Sequence, residues 1–133
     1  MILVTGGLGM IGAHTARALL DLGEDVVVTS HRRGDVPSFL DGKVVVESLD
    51  VTIQAAFLAL GERYAVSDIV HLAGSVPADD PVAYFRTDMT GLFNALDAAR
   101  VWGVRRSSRS PPTLCRAPAY TPSYCGSGRR GGR

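Results

Sequence analysis

Lysine is almost absent from this chain: one residue of 133, Lys43, against 13 arginines. Chemistry that relies on a lysine amine has a single candidate, and it lies in the first half. Cysteine is nearly as scarce. No further His or Cys stands at ligand spacing from Cys115 or Cys125, which supports neither a zinc site nor a disulfide framework. His14, His31 and His71 are too scattered to form a metal site among themselves. No apolar run approaches the ~20 residues that a membrane-spanning helix needs. Ile2-Leu3-Val4 is too short for the core of a signal peptide. The expected setting is the cytoplasm, with no membrane partner. Acid is missing from the whole C-terminal part, since all 13 acidic residues precede position 98.

That last absence divides the chain. Residues 1–104 carry seven Lys and Arg against the 13 acids, whereas 105–133 carry seven Arg and no acid, a contrast that the net charge of +1 hides. Arg, Ser, Pro and Gly make up 20 of the last 29 residues, and Leu114 is their only large aliphatic. Such a composition buries too little apolar surface to offset chain entropy, so 105–133 are expected to form a disordered tail. An Arg-rich tail can act as a nucleic-acid arm. No aromatic-interleaved basic module or folded reader accompanies this one, and nucleic acid is not the expected partner.

Residues 1–104 alternate between two periods. Ile2-Leu3-Val4 is a short apolar run. Ile11, Thr15, Ala18, Leu19 and Leu22 then recur at helical spacing, and Gly23 supplies a stop. Asp25 to Thr29 is a β-branched run, 31–42 a loop with Gly34, Pro37 and Gly42, and Val44 to Val46 a third strand. Thr52 to Leu60 reads as a short helix, Asp68 to Leu72 as a fourth strand, and Gly74 to Pro81 as a loop. A long helix follows, with Phe85, Met89, Leu92, Leu96 and Ala99 along one stripe. Continuously apolar strands separated by helices predict a Rossmann-like, doubly wound α/β fold. Its parallel sheet has about four strands, in the order 3-2-1-4. The fourth strand would be left as an unpaired edge, so self-association is expected.

Thr5 to Gly12 joins the first strand to the first helix and places glycines at 6, 9 and 12. A helix N-terminus holds a diphosphate through backbone N–H groups, and side chains at the tight positions would block the approach. Gly6 permits the turn, Gly9 admits the pyrophosphate, and Gly12 lets the helix pack against the strand. Met10 and Ile11, opening the helix, join the same set. A strand before and a helix after supply the context of a dinucleotide site.

The spacing G-x-x-G-x-x-G resembles the extended short-chain dehydrogenase/reductase family, the NAD-dependent epimerases and dehydratases of nucleotide sugars. Asp50-Val51 resembles that family's adenine contact. His71-Leu72-Ala73-Gly74 is similar to its H-x-A-G/A motif, which places Leu72, Ala73 and Gly74 along the cofactor cleft. Thr87 to Leu92, followed by Leu96 to Arg100, is similar to its N-x-x-G-T…L-x-A-A helix, with Asp88 where the family has Asn. At the end of the second strand the family's NAD users carry an acid, and this chain has Ser30 followed by His31-Arg32-Arg33. Loss of the carboxylate and gain of Arg32 and Arg33 favour a 2′-phosphate, hence NADP over NAD.

The resemblance also implies a catalytic Ser/Thr and a Tyr-x-x-x-Lys, because an unperturbed Tyr, with a pKa of about 10, is a poor base near neutrality. Neither is present. Tyr120 and Tyr124 are four apart, but the second position is not Lys. Val104-Arg105-Arg106 resembles the entry to the family's fifth strand, after which Ser107 to Pro112 breaks the pattern. The resemblance therefore implies the N-terminal dinucleotide-binding part of an epimerase/dehydratase-like oxidoreductase, truncated before its catalytic residues. The rest is either a frame change near residue 106 or a genuine tail. The alternative is a non-catalytic module that senses NAD(P).

Overall fold

A computed structural model describes residues 1–75 and 80–109, with side chains described up to Arg105. Eight elements follow in order: β1 (Ile2–Thr5), α1 (Met10–Asp21), β2 (Val26–Ser30), β3 (Val45–Ser48), α2 (Gln54–Arg63), β4 (Asp68–His71), α3 (Pro81–Trp102) and β5 (Arg106–Arg109). The strands form one parallel sheet in the order β3-β2-β1-β4-β5. The expected 3-2-1-4 order is present, and a fifth strand extends it. Its pairing removes the unpaired edge expected at β4: Asp68 to His71 run in register with Arg106 to Arg109. Strand pairing uses backbone groups, so a polar Arg-Ser-Ser-Arg segment can supply it where an apolar pattern is lacking. The sheet thus takes in four residues assigned to the tail. The remainder of the tail, with Leu114, Cys115, Tyr120, Tyr124 and Cys125, lies outside the described residues.

The period of two along each strand makes two cores. Leu3, Val27 and Ile69 pack with Phe57 and Leu60 of α2 and with Ala95 and Ala98 of α3. Ile2, Val4, Val26 and Val28 pack with Ala13 and Ala16 of α1 and with Leu40. Leu40 belongs to the loop between β2 and β3 and is fully buried, while Phe39 beside it stacks on His14 at 5.5 Å. A loop segment thus covers sheet surface next to α1.

The helices face the sheet with their small residues. In α1 the buried positions are Gly12, Ala13 and Ala16, while Met10, Ile11 and Leu22 are exposed. In α3 they are Gly91, Asn94, Ala95 and Ala98; of the expected stripe, Phe85 and Leu96 are exposed, Met89 and Leu92 are half-buried, and Ala99 packs against the core, while Phe93 outside it is exposed. The periodicity in the sequence marks the helices correctly, but Ile11, Phe85 and Leu96, which help to carry it, face outward, while Leu19 and Ala99 pack against the core. Small side chains win that face because backbone must come close to backbone there.

Gly61 shows the same constraint between α2 and α3: a Cβ on it would stand 2.1 Å from Trp102 Nε1. Helix propensity alone favours Ala over Gly by about 1 kcal/mol. The clash reverses that sign, and Gly61→Ala is expected to cost about 1–3 kcal/mol in urea unfolding. Equal or greater stability would mean that the α2–α3 contact is loose.

Candidate functional site

Every residue singled out in the sequence for cofactor binding lies at or beyond the carboxyl end of a strand, or beside a loop that begins there. Gly6, Gly9, Met10, Ile11 and Gly12 follow β1, and Ser30, Arg32 and Arg33 end or follow β2. Asp50 and Val51 follow β3, and Leu72, Ala73 and Gly74 follow β4. Asp88 reaches this edge from α3, where its Oδ1 accepts the Ser75 backbone N–H at 2.8 Å. In open α/β sheets ligands bind at this edge, where the strand order reverses, here between β1 and β4.

The glycines of the first turn have different reasons. Gly6 has φ +69°, and a Cβ there would lie 2.8 Å from the Ala73 nitrogen. A Cβ on Gly12 would lie 2.2 Å from the Gly6 carbonyl oxygen. The fold requires both. A Cβ on Gly9 would meet only the Gly6 carbonyl oxygen, at 3.1 Å. Gly9 is also the N-cap of α1, where no side chain caps the helix and no acid stands in the first turn. The exposed N–H groups and the positive end of the helix dipole form an anion site. The Gly9 N–H is given to the Gly6 carbonyl at 2.9 Å, so the first-turn backbone N–H groups of Met10 to Gly12 are the donors that this cradle offers a diphosphate.

Thr5 locks this turn to the β4 loop. Its hydroxyl oxygen accepts the backbone N–H groups of Leu72 and Ala73 at 3.2 and 3.3 Å, and its Oγ1 is 2.8 Å from His71 Nδ1. With both lone pairs engaged, the hydroxyl donates to Nδ1, which leaves the ring proton on Nε2. Burial pushes the His71 pKa down to about 4, against a smaller upward pull from Asp88. His71 is a neutral brace near pH 7. The charge of Asp88 raises the Tyr84 pKa, and burial adds to this. That is the reverse of what a tyrosine general base needs. Lys43 precedes β3, at the opposite edge of the sheet.

On the other side of the turn, Asp50 Oδ1 accepts from the Thr52 hydroxyl at 2.7 Å and the Thr52 N–H at 2.9 Å, which lowers the Asp50 pKa. Its Oδ2 lies 3.7 Å from His31 Nε2. Arg32 and Arg33 are exposed, and among the described residues no carboxylate pairs with either. The Arg33 backbone N–H donates to Ser30 Oγ at 3.2 Å. Asn94, missed in the sequence, donates to the Val51 carbonyl at 2.8 Å. Val51 also lies against Gly91, where a Cβ would come within 2.7 Å of its Cγ2. A polar residue on the small-residue face of α3 was the available signal. Among the described residues no cluster of His, Cys, Asp or Glu could hold a metal.

The model of the NAD dependent epimerase/dehydratase family matches residues 2–110. The chain belongs to this family. Among curated family relatives it is 30% identical over 141 residues to the UDP-glucose 4-epimerase of Mus musculus, covering 91% of this chain and 40% of that one. The UDP-glucose 4-epimerase of Bacillus subtilis is 31% identical, over 79% of this chain and 34% of that one. Among solved structures, the UDP-glucose 4-epimerase of Thermus thermophilus in complex with NAD has a TM-score of 0.72 at 26% identity, with 80% of this chain and 35% of that one covered. The L-threonine dehydrogenase of Clostridium difficile has a TM-score of 0.69 at 28% identity, over the same shares. The chain spans about 40% of the length of the mouse relative, and its cofactor class is a nicotinamide dinucleotide.

Because the folded-state pKa of His71 lies below its unfolded value of about 6.5, its contribution to stability is present above that value. The contribution is lost as pH falls toward 4. The loss is on the order of 3 kcal/mol. Urea midpoints measured between pH 7.5 and 4 should fall accordingly, and His71→Asn should flatten the profile. A wild-type profile that is flat across this range would contradict the buried neutral imidazole.

Proposed function

We propose that this chain is the dinucleotide-binding portion of an NAD(P)-dependent epimerase/dehydratase-like oxidoreductase of nucleotide sugars, truncated before its catalytic Ser/Thr, Tyr and Lys and inactive by itself. The observation that carries the reading is the α1 N-terminus behind Gly9, uncapped by any side chain. Gly6, Gly9, Met10, Ile11 and Gly12 surround the pyrophosphate. Asp50 and Val51 meet adenine, and Ser30, Arg32 and Arg33 meet the adenosine ribose. Leu72, Ala73, Gly74 and Asp88 line the other half of the cleft. When bound, the nicotinamide ring would supply the hydride acceptor and donor. The residues of this chain position it and brace the cleft.

NADP is favoured over NAD, because β2 ends in Ser30 with two arginines close behind. The absence of a tyrosine poised as a base among the described residues, with Tyr84 held against Asp88, also supports the second reading, a non-catalytic module that senses the dinucleotide. A cytoplasmic setting is part of both, and among the described residues no helix is long and apolar enough to cross a membrane. Self-association is part of both as well. It rests on the outward face of α3, where Val82, Phe85 and Phe93 are each more than 60% exposed.

Titration calorimetry with NADP and NAD tests the cofactor reading. Gly9→Ala should stay folded, losing about 1 kcal/mol of stability at the N-cap, and lose dinucleotide binding. Arg32→Ala with Arg33→Ala should weaken NADP about tenfold or more and NAD about twofold or less. Full NADP affinity in Gly9→Ala would refute the pyrophosphate cradle. For assembly, Phe85→Ser with Phe93→Ser should shift sedimentation toward monomer. A wild type that is monomeric at high micromolar concentration removes that part of the proposal.

A further inference from the structure

Asp88 is an ionisable group at the cleft that no family role explains, since the resemblance places an amide there. Its Oδ1 accepts the Ser75 N–H at 2.8 Å. Its Oδ2 faces Gly74, 3.7 Å from where a Cβ on that glycine would stand. Gly74 carries no side chain to screen it. Tyr84 stands one helical turn before it, and the Asp88 charge raises the Tyr84 pKa and pulls the His71 pKa upward against burial. Among the described residues no Lys, Arg or His forms an ion pair with it. The carboxylate is therefore held by a neutral backbone donor beside the cleft, with its charge uncompensated by an ion pair among the described residues.

Its position along a dinucleotide follows from the sheet order. With the pyrophosphate at α1 and the adenosine over β2 and β3, the second nucleoside lies over β4 and the Leu72–Ser75 loop, on the Asp88 side of the crevice. A nicotinamide ring is cationic when oxidised and neutral when reduced. We propose that Asp88 makes this cleft discriminate by redox state, binding the oxidised dinucleotide more tightly than the reduced one. The inference rests on the dinucleotide-binding reading above. A carboxylate several ångströms from a cation in a partly buried site is worth a factor of about five to ten in affinity. A neutral amide in its place keeps the hydrogen bond from Ser75 and loses the charge. A protein with this property responds to the ratio of the two forms and not only to their sum.

The test is calorimetric titration of the full chain with NADP and NADPH, and with NAD and NADH, for the wild type, Asp88→Asn and Tyr84→Phe. The wild type should bind the oxidised form about five- to tenfold more tightly. Asp88→Asn should bring the ratio of the two dissociation constants close to one while still binding both forms. Tyr84→Phe removes the neighbouring hydroxyl and keeps the Asp88 charge, so its preference for the oxidised form should persist or grow. Binding of both forms with an unchanged ratio in Asp88→Asn, or loss of the ratio in Tyr84→Phe, overturns the inference and leaves the cofactor reading standing. No binding of any of the four dinucleotides by folded wild-type protein overturns both.

Discussion

Two stretches of backbone meet at the centre of this molecule, and the rest of the site depends on how close they come. The turn after β1 and the loop after β4 touch at Gly6 and Ala73, and α1 closes onto the same turn at Gly12. A methyl group at either glycine would enter occupied space. Thr5 then ties the two loops through its hydroxyl and its backbone carbonyl, which accepts the Leu72 N–H at 3.1 Å. This contact sets the floor of the crevice and aims the N-terminus of α1 along it. It also explains why α1 buries Gly12, Ala13 and Ala16: a larger side chain on that face would lift the helix off the turn.

Electrostatics along the crevice is uneven. At the α1 end the helix dipole and backbone donors offer positive potential, with Arg32 and Arg33 on the β2 side. At the β4 end a carboxylate on α3 faces Gly74. A dinucleotide laid along this crevice would meet opposite fields at its two ends. His71 stands beneath the β4 end as a buried neutral ring, because desolvation disfavours its charged form more than the Asp88 carboxylate favours it. Tertiary packing thus decides the charge of a residue whose type alone leaves it open.

The outward faces of α1 and α3 carry large apolar residues, Met10 and Ile11 on one and Phe85 and Phe93 on the other. These faces lie on opposite sides of the sheet, because α1 packs with one core cluster and α3 with the other. A domain with apolar surface on both sides has more to cover than its own chain covers among the described residues.

The sequence by itself determined the alternation of strands and helices, the sheet order 3-2-1-4 and the glycine turn, because each rests on a local period or a fixed spacing. It also determined the family, through motifs that sit at strand ends. Only the tertiary structure decided which glycines the fold needs, since Gly9 differs from Gly6 and Gly12 in what surrounds it and not in spacing. The orientation of the helices was likewise not legible, because the large apolar stripe looks like a core face until the small-residue face is seen packed on the sheet. β5 was hidden for a third reason: strand pairing is a backbone bond, and Arg106 to Arg109 show no apolar pattern to betray it. Nor could the sequence place Asp88 beside Ser75, a juxtaposition made by the loop after β4 closing onto α3.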